Sequence, residues 1–358
     1  MKYLCLFLVL ALGVIPAGRA ETEKFHKRFG KTTWKIASPE SAGYDSRKLS
    51  AVEKFIKSGK KSGTTGLVVA VNGKIIYAYG NICEPSAIGT CRASVLSMLY
   101  GKYVKNGKIK LDTTIGELGI NDRKKLLKIE KTATIADLLT LQSGIYHPYN
   151  GENSNSARFP GRGSVAPGTT FMHNLWDFNA AGTVFEQLAG VSIYRALQND
   201  LAAPLGMEDF SPSKQKKSKN LKKSIHPAYN IVLSTRDMAR IGEVMRNNGV
   251  WQGNIVVPEK WAKLSTSAIV RIPPYMWSGY GYFWYKYCDS KYPEAFKDSF
   301  SAQGSSGQYI TVLPALNMVI AHKSARYNRK TDIHTYRKIL HKIIEARKKT
   351  VSSEVYRR

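Results

Sequence analysis

Strand-forming sequence at both ends of the chain, with helix-forming sequence between, is the strongest constraint on how this chain can fold. Residues 65–81, TGLVVAVNGKIIYAYGN, read as a hairpin: an apolar strand, Asn72-Gly73 as the turn, and a second β-rich strand. Residues 279–287 (GYGYFWYKY), 308–324 (QYITVLPALNMVIAHKS) and RIPPY at 271–275 supply strand material far downstream. Helical spacing marks residues 46–60 (Leu49, Val52, Phe55, Ile56) and the last helix, from Tyr336 to about Lys349, with Ile339, Leu340, Ile343 and Ile344 on one face. The expected fold class is α+β: an antiparallel sheet from both chain ends, flanked by helices, with an inserted helical subdomain. The α/β part should cover about 21–88 and 278–349, and the helical part about 89–277. A ligand site belongs where the two parts meet.

The middle of the chain is punctuated by caps and glycines. Residues 94–104 are apolar almost all round, as in a helix buried between layers. TATIADLLTLQSG has a threonine cap before a short helix ending at Gly144. Residues 146–168, rich in Gly, Asn, Ser and Pro, read as a long loop. WDFNAAGTVFEQLAG at 176–190 is a helix whose small residues allow close packing, and TRDMARIGEVMRNNG at 235–249 is an amphipathic helix closed by Gly249. Between them lies SPSKQKKSKNLKKS, carrying Lys214, Lys216, Lys217, Lys219, Lys222 and Lys223, which reads as a solvated loop able to reach a cleft rim.

The N-terminus, MKYLCLFLVLALGVIPAGRA, has a lysine, an apolar run and a small-residue site, as in a secretory signal peptide of residues 1–20 cut after Ala20. An N-terminal anchor is the alternative, although the run is short for a membrane span. Residues 351–358 form a basic tail. The formal net charge of +28 draws such a protein toward polyanions. With a secretion signal those are extracytoplasmic: peptidoglycan and other cell-wall polymers, lipopolysaccharide or anionic lipid. No nucleic-acid-binding motif is present, so nucleic acid is not an expected partner. Cys83 and Cys91 are disulfide candidates in an oxidising compartment, leaving Cys288 free; three buried thiols are the alternative. The cysteine spacing fits no zinc pattern, and neither metal nor cofactor is expected.

Many fragments, in order and spacing, resemble the serine β-lactamase and penicillin-binding-protein-like hydrolases, on the class C β-lactamase and esterase branch. They include SPESAGYDSRKL, the hairpin GLVVAVNGKIIYAYGN, LLTLQSGIYHP, PGTTF, WDFNAAG, PLGMEDF, STRDMARIGEVMRNNGVWQGNIVVPEKW, GYGYFWY and GQYITVLPALNMV. The likeness spans nearly the whole chain after the signal and implies the β-lactamase/transpeptidase-like fold. It also implies acyl transfer through a serine at a helix N-terminus, with a lysine one turn on to take its proton. A Tyr-x-Asn motif and a Lys-Thr-Gly or His-x-Gly strand would complete the site, the strand giving one backbone N–H to an oxyanion hole.

Laid on this chain, all three motifs are altered. Counting from Gly80 and back from LSMLYG puts Thr90 at the nucleophile position and Ala93 at the lysine position. The rival register makes Ser94 the nucleophile and puts Ser97 at the lysine position, so neither register has a lysine. Six residues after Pro167, the second motif starts at His173, with Leu175 at the Asn position. In the third, AQGSSGQY places Ser305 for His or Lys, then Ser306, Gly307 and Gln308, the last three being candidate ligand contacts. Two functions follow. One is a catalytically silent relative binding a cell-wall fragment, small acyl ligand or partner protein in the former cleft. The other is a rewired esterase, amidase or peptidase using Thr90 with His173 as base. For Thr90 the bland alternative is a helix N-cap; for His173 it is a simple hydrogen-bonding residue.

Overall fold

The structure, a computed structural model, describes residues 17–59, 62–151, 159–272, 276–325 and 330–348. The expected signal peptide lies outside these residues apart from positions 17–20, which begin helix α1 (Ala17–Phe29). The tail at 351–358 also lies outside them, as do Pro273 to Tyr275 of RIPPY.

Seven antiparallel strands form the main sheet. In chain order they are β1 (Thr64–Val71), β2 (Lys74–Gly80), β3 (Trp277–Tyr280), β4 (Tyr285–Tyr287), β5 (Phe300–Gly304), β6 (Gln308–Leu313) and β7 (Met318–Ser324). Their spatial order is β2-β1-β7-β6-β5-β4-β3, so β1 from the N-terminal hairpin pairs directly with the last strand. Asn72 and Gly73, both at positive φ (49° and 72°), make the two-residue turn that joins β1 to β2. Strand alternation divides β1 between two cores. Val68 and Ala70 face one, while Leu67, Val69 and Val71 face the other.

The second core lies under α2 (Ser46–Ser58) and the C-terminal helix. α2 buries Leu49, Val52 and Ile56, and the C-terminal helix (Ile333–Glu345) buries Tyr336, Ile339, Leu340, Ile343 and Ile344. The first core holds the helical part: α3 (Cys91–Lys105), the short α4 (Ile135–Leu139), α5 (Leu175–Ala189) and α6 (Thr235–Arg246), followed by α7 (Glu259–Ser265). The C-terminal helix is therefore α8.

Several local expectations change. α6 is amphipathic in sequence, yet every residue from Thr235 to Met245 is buried. Its polar face is covered by ion pairs: Arg240 reaches Glu208 (2.5 Å) and Asp237 (3.0 Å), and Arg246 reaches Glu243. Gly242 lets its other side press on the sheet, since a Cβ there would stand 2.4 Å from Val319 Cγ1. α4 stops at Leu139, before Gly144. The lysine-rich stretch is not wholly loop: Lys216–Ser218 pairs with Ala228–Asn230 as a small hairpin. Residues 300–304 form β5, whose mixture of Ser, Gln and Gly hides its strand character from a reading of hydrophobic pattern.

Candidate functional site

A cavity of about 560 Å³ opens between the sheet and the helical part. Thr90, His173, Leu175, Ser305, Ser306 and Gln308 line it, together with Arg92, Asn150, Lys219, Asn220, Lys223 and Asn230. Gly89 turns the chain into α3 at φ +58°, and a Cβ there would stand 2.9 Å from Gln308 Oε1. Glycine therefore supplies both the left-handed turn and the room for the Gln308 amide. On the other side, a Cβ on Gly304 would lie 2.6 Å from the same oxygen. Gln308 Oε1 is buried between these glycines without a hydrogen-bond partner among the described residues.

Thr90 holds the N-cap position of α3, but its hydroxyl makes no capping bond. It donates instead to the Gln303 carbonyl on β5 at 2.7 Å. The helix N-cap reading of its hydroxyl is thereby corrected. Ala93 and Ser94 are buried in the helix, and neither lines the cavity. Ser94 Oγ donates to the Phe283 carbonyl at 2.6 Å, its proton spent inside the core.

His173 precedes the buried Asn174, which caps α5 by accepting from the Trp176 backbone N–H and donates to the Ile145 carbonyl (2.7 Å). The imidazole is open to the cleft and meets Phe178 edge-on at 5.3 Å. Protein atoms crowd it enough to pull its pKa below 6.5, which keeps the ring neutral at neutral pH. On α5, burial raises the Asp177 carboxyl well above the usual carboxylate range, while Ser143 Oγ donates to it at 2.6 Å.

Residues 305–307 form the turn joining β5 to β6 rather than part of a strand, which corrects the placement of the third motif. Gly307 sits at φ +85°, where a Cβ would meet Ser324 Cβ and the Thr331 carbonyl at 2.7 Å each. The Cys83–Cys91 pairing is corrected too. Cys91 is fully buried with its thiol toward the Gln308 carbonyl (3.3 Å), whereas Cys83 donates to the Phe29 carbonyl (2.9 Å). Both thiols are free, as is Cys288. Among the described residues no cluster of His, Cys, Asp or Glu could hold a metal.

Arg92 and Asn150 were not singled out from sequence. Arg92 is 4% exposed, on the α3 turn that follows Thr90. Its Nη2 donates to Asn179 Oδ1 at 2.7 Å, and its guanidinium lies 4.2 Å from the Tyr229 ring centre. Nη1 is buried with no acceptor among the described residues. Asn179 in turn donates to the Asn150 carbonyl (2.9 Å). Asn150 then holds the lysine-rich segment, accepting from the Asn220 N–H (2.6 Å) and donating to the Ser224 (3.0 Å) and His226 (2.7 Å) carbonyls. Lys219 and Lys223 reach the rim; Lys214, Lys216 and Lys222 are exposed beyond it, and Lys217 pairs with Glu186. The usable signal for Arg92 was a single charge in the otherwise uncharged run from Cys91 to Gly101 of that helix.

This fold is that of a known class. The β-lactamase family pattern matches residues 52–341, and the chain belongs to that family. Among solved structures it is similar to a class C β-lactamase mutant with a tyrosine-to-phenylalanine change (TM-score 0.63, 17% identity, 84% of this chain and 97% of that one). It is also similar to a penicillin-binding protein homologue from Caulobacter crescentus (TM-score 0.59, 15% identity, 82% and 96%) and to the octameric penicillin-binding protein homologue from Pyrococcus abyssi (TM-score 0.60, 18% identity, 83% and 77%). No curated protein sequence matches the chain.

Proposed function

We propose that this is a secreted β-lactamase-family protein that no longer performs acyl transfer and instead binds a ligand in the inherited cleft. The supporting observation is the Thr90 hydroxyl, whose proton is committed to the Gln303 carbonyl at 2.7 Å. A hydroxyl becomes a nucleophile only when a base takes its proton. Where the family places its lysine, this chain has the methyl group of Ala93 in the core. The basic surface, densest at 214–223, would hold the protein near extracytoplasmic polyanions such as peptidoglycan.

A rewired hydrolase is the competing reading, because His173 is a neutral imidazole on the same cavity as Thr90. Treatment of the purified protein with a fluorophosphonate and with β-lactams, followed by intact mass measurement, separates the two. The silent reading expects no adduct and no turnover of nitrocefin or p-nitrophenyl esters. Turnover that is abolished by Thr90→Val would overturn it in favour of the hydrolase.

A further inference from the structure

We propose that the cleft takes a ligand carrying a carboxylate, seated against the Arg92 guanidinium, with Lys219 adding charge at the rim. This deepens the silent-binder reading and rests on it. Three observations carry it.

First, Arg92 is a buried cation without a counter-ion among the described residues. Its guanidinium meets the Asn179 amide oxygen and the Tyr229 ring, and Nη1 is buried with no acceptor among the described residues. A cation held this way is costly unless something anionic arrives, because burial strips its water without supplying an opposite charge. Second, the lining contains Arg92, Lys219 and Lys223 but no Asp or Glu among the described residues. The uncapped N-terminus of α3 adds its partial positive charge to the same space. Third, the remaining polar lining is neutral and suits an amide-bearing body. Asn220 and Asn230 offer amides, and Gln308 Oε1 is a buried acceptor with no partner among the described residues.

A guanidinium recognises a planar carboxylate by directed N–H donors as well as by charge. This places the anion-recognising group on α3, rather than on the 305–307 turn, where serines stand at the position the family gives to Lys or His. Charge recognition has moved from the sheet side of the cleft to the helix side.

The test compares N-acetylamino acids with their primary amides, which match in shape and differ in charge, by calorimetry and thermal shift at fixed ionic strength. The carboxylates should bind the wild-type protein about tenfold more tightly than the amides, about 1.4 kcal/mol. That preference should vanish in Arg92→Met, weaken in Lys219→Gln, and be partly kept in Arg92→Lys, which guards against a folding defect in the first variant. Inorganic phosphate serves as a third probe. Equal binding of acids and amides, preference for phosphate over every carboxylate, a preference surviving Arg92→Met, or no binding by any probe would each overturn the inference. None of these outcomes bears on acylation, so the silent reading stands or falls separately on the fluorophosphonate and turnover assays.

Discussion

His322 Nδ1 donates to the Gly307 carbonyl at 2.8 Å, while its Nε2 lies 2.8 Å from the Thr64 hydroxyl. A carbonyl only accepts, so the proton sits on Nδ1, and Nε2 accepts from Thr64. The ring thus ties β1 to the turn that borders the cleft. Burial lowers its pKa from 6.5 to about 4. The unfolded chain therefore binds more protons between these values, and stability falls as pH drops from 6.5 toward 4. The loss from this residue should reach on the order of 3 kcal/mol. Urea titrations at a series of pH values should show that slope in the wild type and a shallower one in His322→Gln.

Rebuilding the motif tests whether the scaffold still supports chemistry. Thr90→Ser with Ala93→Lys, and His173→Tyr added, should give a protein that reacts slowly with nitrocefin while the wild type does not. Ala93 is 1% exposed, so the lysine must reach the cavity by displacing core contacts. A stability loss of about 2–4 kcal/mol is expected alongside any gain in reactivity.

Gly182 on α5 is the support for Arg92. A Cβ at this position would lie 2.6 Å from two ring carbons of Tyr229, the ring against which the guanidinium packs. Gly182→Ala should cost about 1–3 kcal/mol by overpacking. It should also weaken carboxylate binding without altering any residue of the cavity wall, as calorimetry would show.

The thiols supply a further check on the structure. Cys91 should resist labelling by a thiol reagent until the protein unfolds, because burial raises its pKa and closes access. Cys83 should label earlier, and reductant should leave the melting temperature unchanged. A reductant-sensitive transition would restore the disulfide.

For the basic hairpin, replacing the exposed Lys214, Lys216, Lys219 and Lys222 with glutamine should weaken retention on purified peptidoglycan and make its remaining loss with salt shallower, with little effect on melting temperature. Lys217, paired with Glu186, is left in place because its removal would unpair a half-buried carboxylate.

Much of the fold was legible because its strongest signals are local. Asn72-Gly73 marks the hairpin, and the apolar stripe of α8 marks a helix lying on a sheet. β5 was not legible as a strand, since Ser301, Gln303 and Gly304 lack β-branched bulk and are held by neighbours distant in sequence. At the site, the motif positions could be counted, but hydrogen bonds could not. That Thr90 serves Gln303, and that residues 305–307 form a turn, depend on where β5 and β6 end. Asn150 was hidden for another reason: an asparagine in a polar loop is ordinary until its three partners in the 220–226 segment are known.

The relay from Arg92 through Asn179 and Asn150 to the 220–226 segment also governs how much freedom remains for a ligand to remove. Side chains already fastened to one another have little rotational entropy left to lose on binding. The floor and the rim are fastened through the same amides, so they cannot adapt independently to different occupants. Such a cleft gains affinity for the few shapes it was set for and forfeits breadth, behaving more like a mould than a glove.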